Sequence, residues 1–280
     1  MHTQIQQRSV LEHPWRIAAL VAVVLNVTFN YVNEWLGEHT RNVSQVSQAY
    51  PTAFTPAGYA FAIWGVIYGA TLLYAVMALL PSQHDVRLHD RVAPWLVATS
   101  ALASLWISLF TAEHLGPSVL IILAMLTACG FMYAIATEHL KSERLSAWWR
   151  VPFALWLGWL SVATIANISV ALVAAGWDGS PLGAPVWAAI MLCVAAGIAL
   201  GLNIAFRDPV VPLVVAWAAA AIAVERWDDS TLVAVVGMLV ALKCLLWAAT
   251  TLLLQAYPIP KKYLAAAQRA ARLTPHDVRR

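Results

Sequence analysis

Five asparagine side chains lie within long apolar segments, where an amide has little access to water. Asn26, Asn30 and Asn33 are spaced four and three residues apart, which places them on one face of a helix. Asn167 and Asn203 lie in two later apolar segments. Because a buried amide costs free energy unless it is paired, these side chains must face another helix or a cavity. Hydrogen bonding between helices and the polar wall of a ligand site both stay open.

Lys243 is the most unusual residue, because it lies midway along the apolar run GMLVALKCLLW. An ionisable side chain inside a membrane segment is expected to have a function. Lys243 could form a retinal Schiff base, bind an anionic ligand or act as a coupling residue in proton transfer. No Asp or Glu occurs at a comparable depth in another apolar segment, which argues against a retinal protein. The structural alternative is a lysine that bonds backbone carbonyls or faces a cytoplasmic cavity.

The 14 Trp residues fall into two groups by position. An indole near the end of an apolar segment is typical of the aromatic belt at a membrane surface. This group comprises Trp15, Trp35, Trp95, Trp148, Trp149, Trp177, Trp187 and Trp227. A deeper indole N–H needs a partner, which either the protein core or a Trp-lined pocket provides. The deeper group comprises Trp64, Trp106, Trp156, Trp159, Trp217 and Trp247.

Residues arranged for covalent or metal chemistry are absent from the sequence pattern. There is no nucleophile–base pair, no phosphate-binding loop and no spacing typical of metal ligands, so no catalytic or metal site is predicted. His84, His89 and His114 are expected in solvated loops. The cysteines are expected to be packing residues; they are Cys129, Cys193 and Cys244. A net charge of +3 is too small to indicate nucleic-acid binding.

The composition requires a membrane to position these residues. Apolar residues make up 61% of the chain and charged residues 11%, against roughly a quarter in soluble domains. A transmembrane helix needs roughly 20 mostly apolar residues. Segments that meet or approach this length are 15–36, 57–80, 92–110, 115–137, 151–175, 184–206, 209–224 and 231–254. The sequence therefore predicts an all-α, polytopic transmembrane helical bundle of about eight spans.

The distribution of basic residues predicts the orientation of this bundle. With both termini in the cytoplasm, only Arg41 and Arg226 of the 17 Lys and Arg residues fall on the opposite side, and Lys243 falls within a span. The predicted organisation is a cytoplasmic N-terminus (1–14), a five-helix core (15–175), three further helices (184–254) and a basic cytoplasmic tail (255–280). The predicted location is a bacterial inner membrane.

Two pairs of glycines have the spacing that lets membrane helices approach closely, Gly65 with Gly69 and Gly197 with Gly201. We interpret both pairs as contacts within the chain rather than between chains. A homodimer is nevertheless left open as a partner, beside the lipid bilayer.

Two blocks of sequence resemble the TspO/MBR family, the tryptophan-rich sensory or translocator proteins. Residues 50–68 read YPTAFTPAGYAFAIWGVIY and are similar to the Pro-rich entry and W-x-x-x-Y helix of that family. Residues 152–167 read PFALWLGWLSVATIAN and resemble its fifth helix. The resemblance covers roughly residues 15–175 and looks closest to a longer branch of the family with extra C-terminal spans. The chain departs from the pattern with Ala103 or Ser104 in place of an Asn on the third helix, and with Phe153 in place of a Tyr.

The resemblance implies a five-helix pocket for a flat hydrophobic ligand, with a porphyrin or other tetrapyrrole as the usual suggestion. The implied ligand-binding residues are Asn30, Pro56, Tyr59, Trp64, Tyr68, Trp106, Trp159, Ala163 and Asn167. Trp64 and Trp159 would form aromatic walls, and Asn30 and Asn167 would be polar anchors. No cofactor is predicted with certainty beyond this ligand.

The leading hypothesis is thus a membrane receptor or transporter for a planar hydrophobic ligand. The first alternative is a proton- or solute-coupled secondary transporter that uses Lys243, and the remote alternative is a retinal-type photoreceptor. A purely structural role is a further alternative. Porphyrin photodegradation has been proposed in the family, so enzyme activity is uncertain and less expected than binding.

Overall fold

The structure is a computed structural model that describes residues 13–36 and 41–257. Within these ranges every regular element is helical, which confirms the all-α prediction. The helices are α1 (Pro14–Leu36), α2 (Val43–Ala49), α3 (Ile63–Met77), α4 (Arg87–Thr111), α5 (Leu115–Ser142), α6 (Val151–Ala174), α7 (Ala184–Phe206), α8 (Val210–Glu225) and α9 (Thr231–Ala256). A 3₁₀ turn, Gly58–Ala62, leads directly into α3.

Each predicted span corresponds to one long helix or, for the second, to the 3₁₀ turn followed by α3. Seven of these described helices are long and apolar enough to cross a membrane. The exception is α8, whose 16 residues extend only about 24 Å, less than the roughly 30 Å of a bilayer's hydrocarbon core. The polytopic helical bundle is confirmed, and a count of eight crossings depends on α8. The short helix α2 was not predicted.

The helices pack mainly with their neighbours in sequence. In the first part of the chain, α1 packs on α3 and α4, α4 on α5, and α5 on α6. In the second part, α9 packs on α7 and α8. The two parts meet where α8 packs on α6, and most residues of α8 are buried. The three additional helices are therefore packed against the five-helix part.

Two glycines make this packing close. A Cβ on Gly158 of α6 would lie 3.0 Å from Cβ of Val214 on α8. A Cβ on Gly237 of α9 would lie 2.9 Å from the carbonyl oxygen of Ala219 on α8. Because α6 and α9 each present a glycine to α8, its backbone can lie close to both of them.

A buried ion pair joins the two parts at one end of the bundle. Nε of Arg150, at the start of α6, lies 2.9 Å from Oδ2 of Asp208, in the turn between α7 and α8. The Tyr133 hydroxyl donates to the same carboxylate at 2.9 Å. Arg207 ends α7 in the left-handed conformation (φ 50°), which turns the chain so that Asp208 points inward.

A second buried guanidinium, that of Arg16, lies in the first turn of α1. Arg16 bonds the Asp90 carboxylate at 2.8 and 2.7 Å and the backbone carbonyls of four residues between α3 and α4. His89, which was expected in a solvated loop, is instead buried in the first turn of α4, with Nδ1 3.1 Å from the Tyr74 hydroxyl. That expectation was wrong because α4 begins before the apolar run and buries its first turn.

Several predictions concern residues outside the described ranges. They are the N-terminal segment before residue 13 and the basic tail after residue 257. For Trp35 the structure describes the backbone of α1 but not the side chain.

Candidate ligand cavity

A half-open cavity of about 540 Å³ lies between α1, α2, α3 and α4. This volume falls within the range of roughly 300–1,000 Å³ that is usual for small-molecule sites. Its lining residues are Val27, Asn30, Tyr31, Val43, Ser44, Gly58, Tyr59, Phe61, Ala62, Trp64, Gly65, Tyr68, Gly69, Leu72, Trp106 and Ile107. We call it the aromatic cavity.

Three aromatic rings form one side of the aromatic cavity. Trp64 and Tyr68 are one turn apart on α3 and stack with their ring centroids 5.4 Å apart and their planes 23° apart. Trp106 of α4 continues the surface, with its ring centroid 6.2 Å from that of Trp64. Rings at such spacings present a broad face on which a flat apolar molecule can stack.

An amide from α1, that of Asn30, also lines the aromatic cavity. Nδ2 of Asn30 donates to the backbone oxygen of Asn26 at 2.9 Å and to its side-chain oxygen at 2.8 Å. Oδ1 of Asn30 accepts no hydrogen bond from the described residues. Asn30 therefore faces the cavity with an acceptor to spare.

Asn26 performs the other role that the sequence left open for these amides. Its side-chain oxygen accepts from the Ser104 hydroxyl on α4 at 3.0 Å, so it connects two helices. Oδ1 of Asn33 is buried without a partner among the described residues. The asparagine face predicted for α1 thus combines a helix contact with a cavity contact.

Three of the predicted ligand residues lie behind this surface rather than on it. Trp159 is 2% exposed and meets Trp64 edge to face, with the ring centroids 6.2 Å apart. Oδ1 of Asn167 accepts from Nε1 of Trp106 at 2.8 Å. Ala163 is partly buried on α6, the helix of Trp159 and Asn167, and does not line the aromatic cavity. Direct ligand contact by these three residues stays a prediction.

The Ser118 hydroxyl completes the support behind Trp106. Nδ2 of Asn167 donates to Oγ of Ser118 at 2.9 Å. The chain of bonds from α5 through α6 to α4 therefore fixes the plane of the Trp106 indole. Tyr59, Trp64, Tyr68, Trp106 and Asn30 are the predicted site residues that the structure brings to the aromatic cavity.

The 3₁₀ turn covers one end of the aromatic cavity and is held by α8. Nε1 of Trp217 donates to the backbone oxygen of Ala60 at 3.0 Å. The backbone N–H of Ala57 donates to the backbone oxygen of Ala221 at 3.2 Å. The ring of Tyr59, which lines the cavity, meets the Trp217 ring edge to face at 5.5 Å. Pro56 is buried before the turn and does not line the cavity.

The segment before the 3₁₀ turn also bonds to Glu113, just after the C-terminal end of α4. The Tyr50 hydroxyl donates to Oε2 of Glu113 at 2.6 Å, and Nη1 of Arg41 lies 3.2 Å from Oε1 of the same carboxylate. This hydrogen bond to Glu113 raises the pKa of Tyr50. Residues 41–62, which include the 3₁₀ turn, are thus held by Glu113 near their start and by α8 near their end.

Gly65 and Gly69 were missed as cavity residues because their spacing indicated helix contact. A Cβ at either position would meet nothing within 4 Å, and both glycines line the aromatic cavity. They leave room beside the rings of Trp64 and Tyr68. The signal in the sequence was their position, since each glycine directly follows one of these aromatic residues on α3.

Lys243 does not line the aromatic cavity. Its side chain is on the exposed face of α9. A second cavity of about 630 Å³ lies between residues 51–54, the end of α6 and the start of α7, and Lys243 does not line it either. Among the described residues, no group of three or more His, Cys, Asp or Glu side chains could hold a metal ion.

A protein-family model described as TSPO-like protein matches residues 16–251 of the chain. The match includes both blocks that carried the resemblance and extends through α7 and α8 into α9. Neither a curated protein nor a solved structure matches the chain. The resemblance read from the two sequence blocks is confirmed by the family model.

Proposed function

The chain belongs to the TSPO-like protein family, and we propose that it binds a planar apolar ligand, such as a porphyrin or another tetrapyrrole, in the aromatic cavity. It does so as an integral membrane protein with a sensory or translocator role. The proposal concerns binding, because the described lining is mostly aromatic and apolar. Its polar side chains are the amide of Asn30, the hydroxyl of Ser44 and tyrosine phenols, and it includes no Asp, Glu, His, Lys, Arg or Cys.

The observation that carries the proposal is that Trp64, Tyr68 and Trp106 line the same cavity as Asn30. A flat ring system would stack on the indole and phenol faces, where apolar contact and offset stacking both stabilise it. Trp159 and Asn167 act from behind, by fixing the orientation of Trp64 and Trp106.

The free acceptor of Asn30 specifies the polar part of the ligand. When a ligand displaces water from the cavity, this amide oxygen is satisfied only if the ligand brings an N–H or O–H donor. A tetrapyrrole meets both conditions, because it has a flat apolar body, pyrrole N–H groups and acidic side chains. A ligand without a donor would leave Oδ1 of Asn30 unpaired and would bind more weakly.

The two glycines allow a test that leaves the packing intact. Gly65→Leu and Gly69→Leu each project a side chain into the empty volume without meeting a neighbour at the Cβ. Titration of the purified protein with protoporphyrin IX, followed by quenching of Trp fluorescence, should show binding that either variant weakens at least tenfold. Gly201→Leu is the matched control, because it adds the same side chain to a helix position that has open space and lines no large cavity.

Equal porphyrin affinity in the wild type, both cavity variants and the control would refute the site. Loss of helical circular dichroism in a cavity variant would make its binding result uninformative, so each variant is first compared with wild type by thermal unfolding. Asn30→Leu should also weaken porphyrin binding, through loss of the acceptor.

Neither the aromatic cavity nor the cavity between α6 and α7 supports the two alternatives that use Lys243. A coupling lysine must reach the transported ion or solute, and a retinal Schiff base must be enclosed with its chromophore. Lys243 instead faces outward from α9. The proposed function therefore does not depend on Lys243, and the Lys243→Met variant should bind porphyrin as the wild type does.

A further inference from the structure

Lys243 lies at the middle of a helix long enough to cross the bilayer. It is the thirteenth of the 26 residues of α9, about 18 Å along the axis from Thr231 and about 20 Å from Ala256. Half of the hydrocarbon core is about 15 Å thick. A lysine stem of four carbons is shorter than that distance, so the amine cannot reach either membrane surface by extension alone.

The helix presents this amine to the outside of the molecule. α9 packs on α7 and α8 through small and branched residues that recur every three or four positions, Gly237, Val240, Cys244 and Ala248 among them. Lys243 is exposed on another face, between Leu239 and Leu246, which are also exposed. The amine has no hydrogen bond and no ion pair with any described residue. An unpaired amine at this depth is costly, so the bare face of α9 is not a stable end state in lipid.

We propose that the outer face of α9 around Lys243 docks a transmembrane helix of another protein that carries an Asp or Glu at matching depth. The carboxylate would pair with the Lys243 amine, and the leucines at positions 239 and 246 would pack on apolar residues one turn to either side of it. An ion pair in hydrocarbon satisfies both groups at once, which neither lipid tails nor an apolar helix can do.

A second copy of the chain does not provide such a partner. Two-fold pairing about this face would bring the two Lys243 amines together. Every Asp and Glu of the described residues lies in a loop or within five residues of a helix end, away from the middle of a span. Charge complementarity therefore favours a different protein over self-association.

A synthetic peptide of defined sequence can serve as the partner. The probe is a Leu-rich transmembrane peptide of about 20 residues with one central Glu, and the matched peptides have Gln or Leu at that position. The full chain, fused to a donor fluorescent protein at its C-terminus, is reconstituted with acceptor-labelled peptide in phosphatidylcholine vesicles. Energy transfer measures association as the peptide-to-lipid ratio is varied.

The Glu peptide should associate with the wild type on the order of tenfold more tightly than the Leu peptide. Lys243→Met should abolish that preference, Lys243→Arg should keep it, and the neighbouring exposed change Leu242→Met should leave it unchanged. Porphyrin binding should be the same in all of these variants. A wild type without preference for the Glu peptide, or a preference that persists in Lys243→Met, would overturn the proposal. So would tight energy transfer between two labelled copies of the chain that depends on Lys243.

Discussion

The first five long helices and the last three differ in how they treat polar groups. The region from α1 to α6 contains a cavity with an amide and three aromatic rings on its surface. In the region from α7 to α9, the amide of Asn203 is instead paired internally, with the Thr251 hydroxyl at 2.9 Å and with the backbone oxygen of Asp208 at 2.9 Å. None of the residues that line the aromatic cavity comes from this second region.

The later helices therefore help to position the aromatic cavity, although none of their residues lines it. Trp217 and Ala221 of α8 hold the 3₁₀ turn that covers the aromatic cavity. The ion pair between Arg150 and Asp208 joins the two regions at one end of the bundle. Changes in the second region should therefore alter ligand binding without touching the ligand.

Breaking the buried ion pair should have the largest effect. Arg150→Met leaves the Asp208 carboxylate buried with its charge uncompensated, which typically costs about 3–5 kcal/mol. Unfolding in detergent, followed by circular dichroism against temperature and denaturant, should show this loss. The double variant Arg150→Met/Asp208→Asn should recover part of it, because no unpaired charge remains. Independent unfolding of the two regions in the wild type would contradict their association through α6, α8 and this ion pair.

Filling the close contact between α6 and α8 should have the next largest effect. Gly158→Ala places a methyl group 3.0 Å from Cβ of Val214, and overpacking of this kind typically costs about 1–3 kcal/mol. Gly197→Ala is the control, because its Cβ would meet nothing within 4 Å. That variant should be neutral or slightly more stable, since Ala favours a helix by up to about 1 kcal/mol over Gly. Equal stability of the two variants would argue that α8 is not packed closely on α6.

The glycines also show what could be predicted from the sequence and what could not. The long helices followed from apolar length, because lipid leaves few other ways to pair the backbone. The short helix α2 and the early start of α4 did not follow from it. The interpretation of Gly65, Gly69, Gly197 and Gly201 as contacts within the chain was wrong, since none of them has a neighbour within 4 Å of its Cβ position. Spacing reports that two glycines share a helix face, but it does not report what that face meets.

The candidate site, too, could be predicted only in part. The resemblance pointed to Trp64, Tyr68 and Trp106, and the structure brings all three to one cavity. It could not separate residues that line the cavity from residues behind it, such as Trp159 and Asn167, because both kinds lie on buried helix faces. The role of Trp217 was also invisible, since its bond to Ala60 joins residues 157 positions apart.

Removing the indole donor of Trp217 should weaken the link between the regions without breaking it. Trp217→Phe keeps an aromatic ring beside Tyr59 but loses the hydrogen bond to the backbone oxygen of Ala60, worth roughly 1 kcal/mol. Porphyrin affinity should fall several-fold, because the 3₁₀ turn is less firmly held over the aromatic cavity. Trp227→Phe, at an exposed position, is the control and should bind as the wild type does. Unchanged affinity in Trp217→Phe would show that α8 does not position this turn.

The smallest expected effect concerns a contact between α1 and α4, wholly inside the five-helix region. Ser104 is, with Ala103, one of the two residues that could stand in place of the Asn on the third helix of the TspO/MBR pattern. Its hydroxyl donates to the side-chain oxygen of Asn26, which also accepts from Nδ2 of Asn30. Ser104→Ala removes a hydrogen bond between membrane helices, which averages about 0.6 kcal/mol. Since Asn30 keeps both bonds to Asn26, porphyrin affinity should change by no more than about threefold, the equivalent of that energy. A larger loss than that of Trp217→Phe would mean that the α1–α4 contact, rather than α8, controls the site.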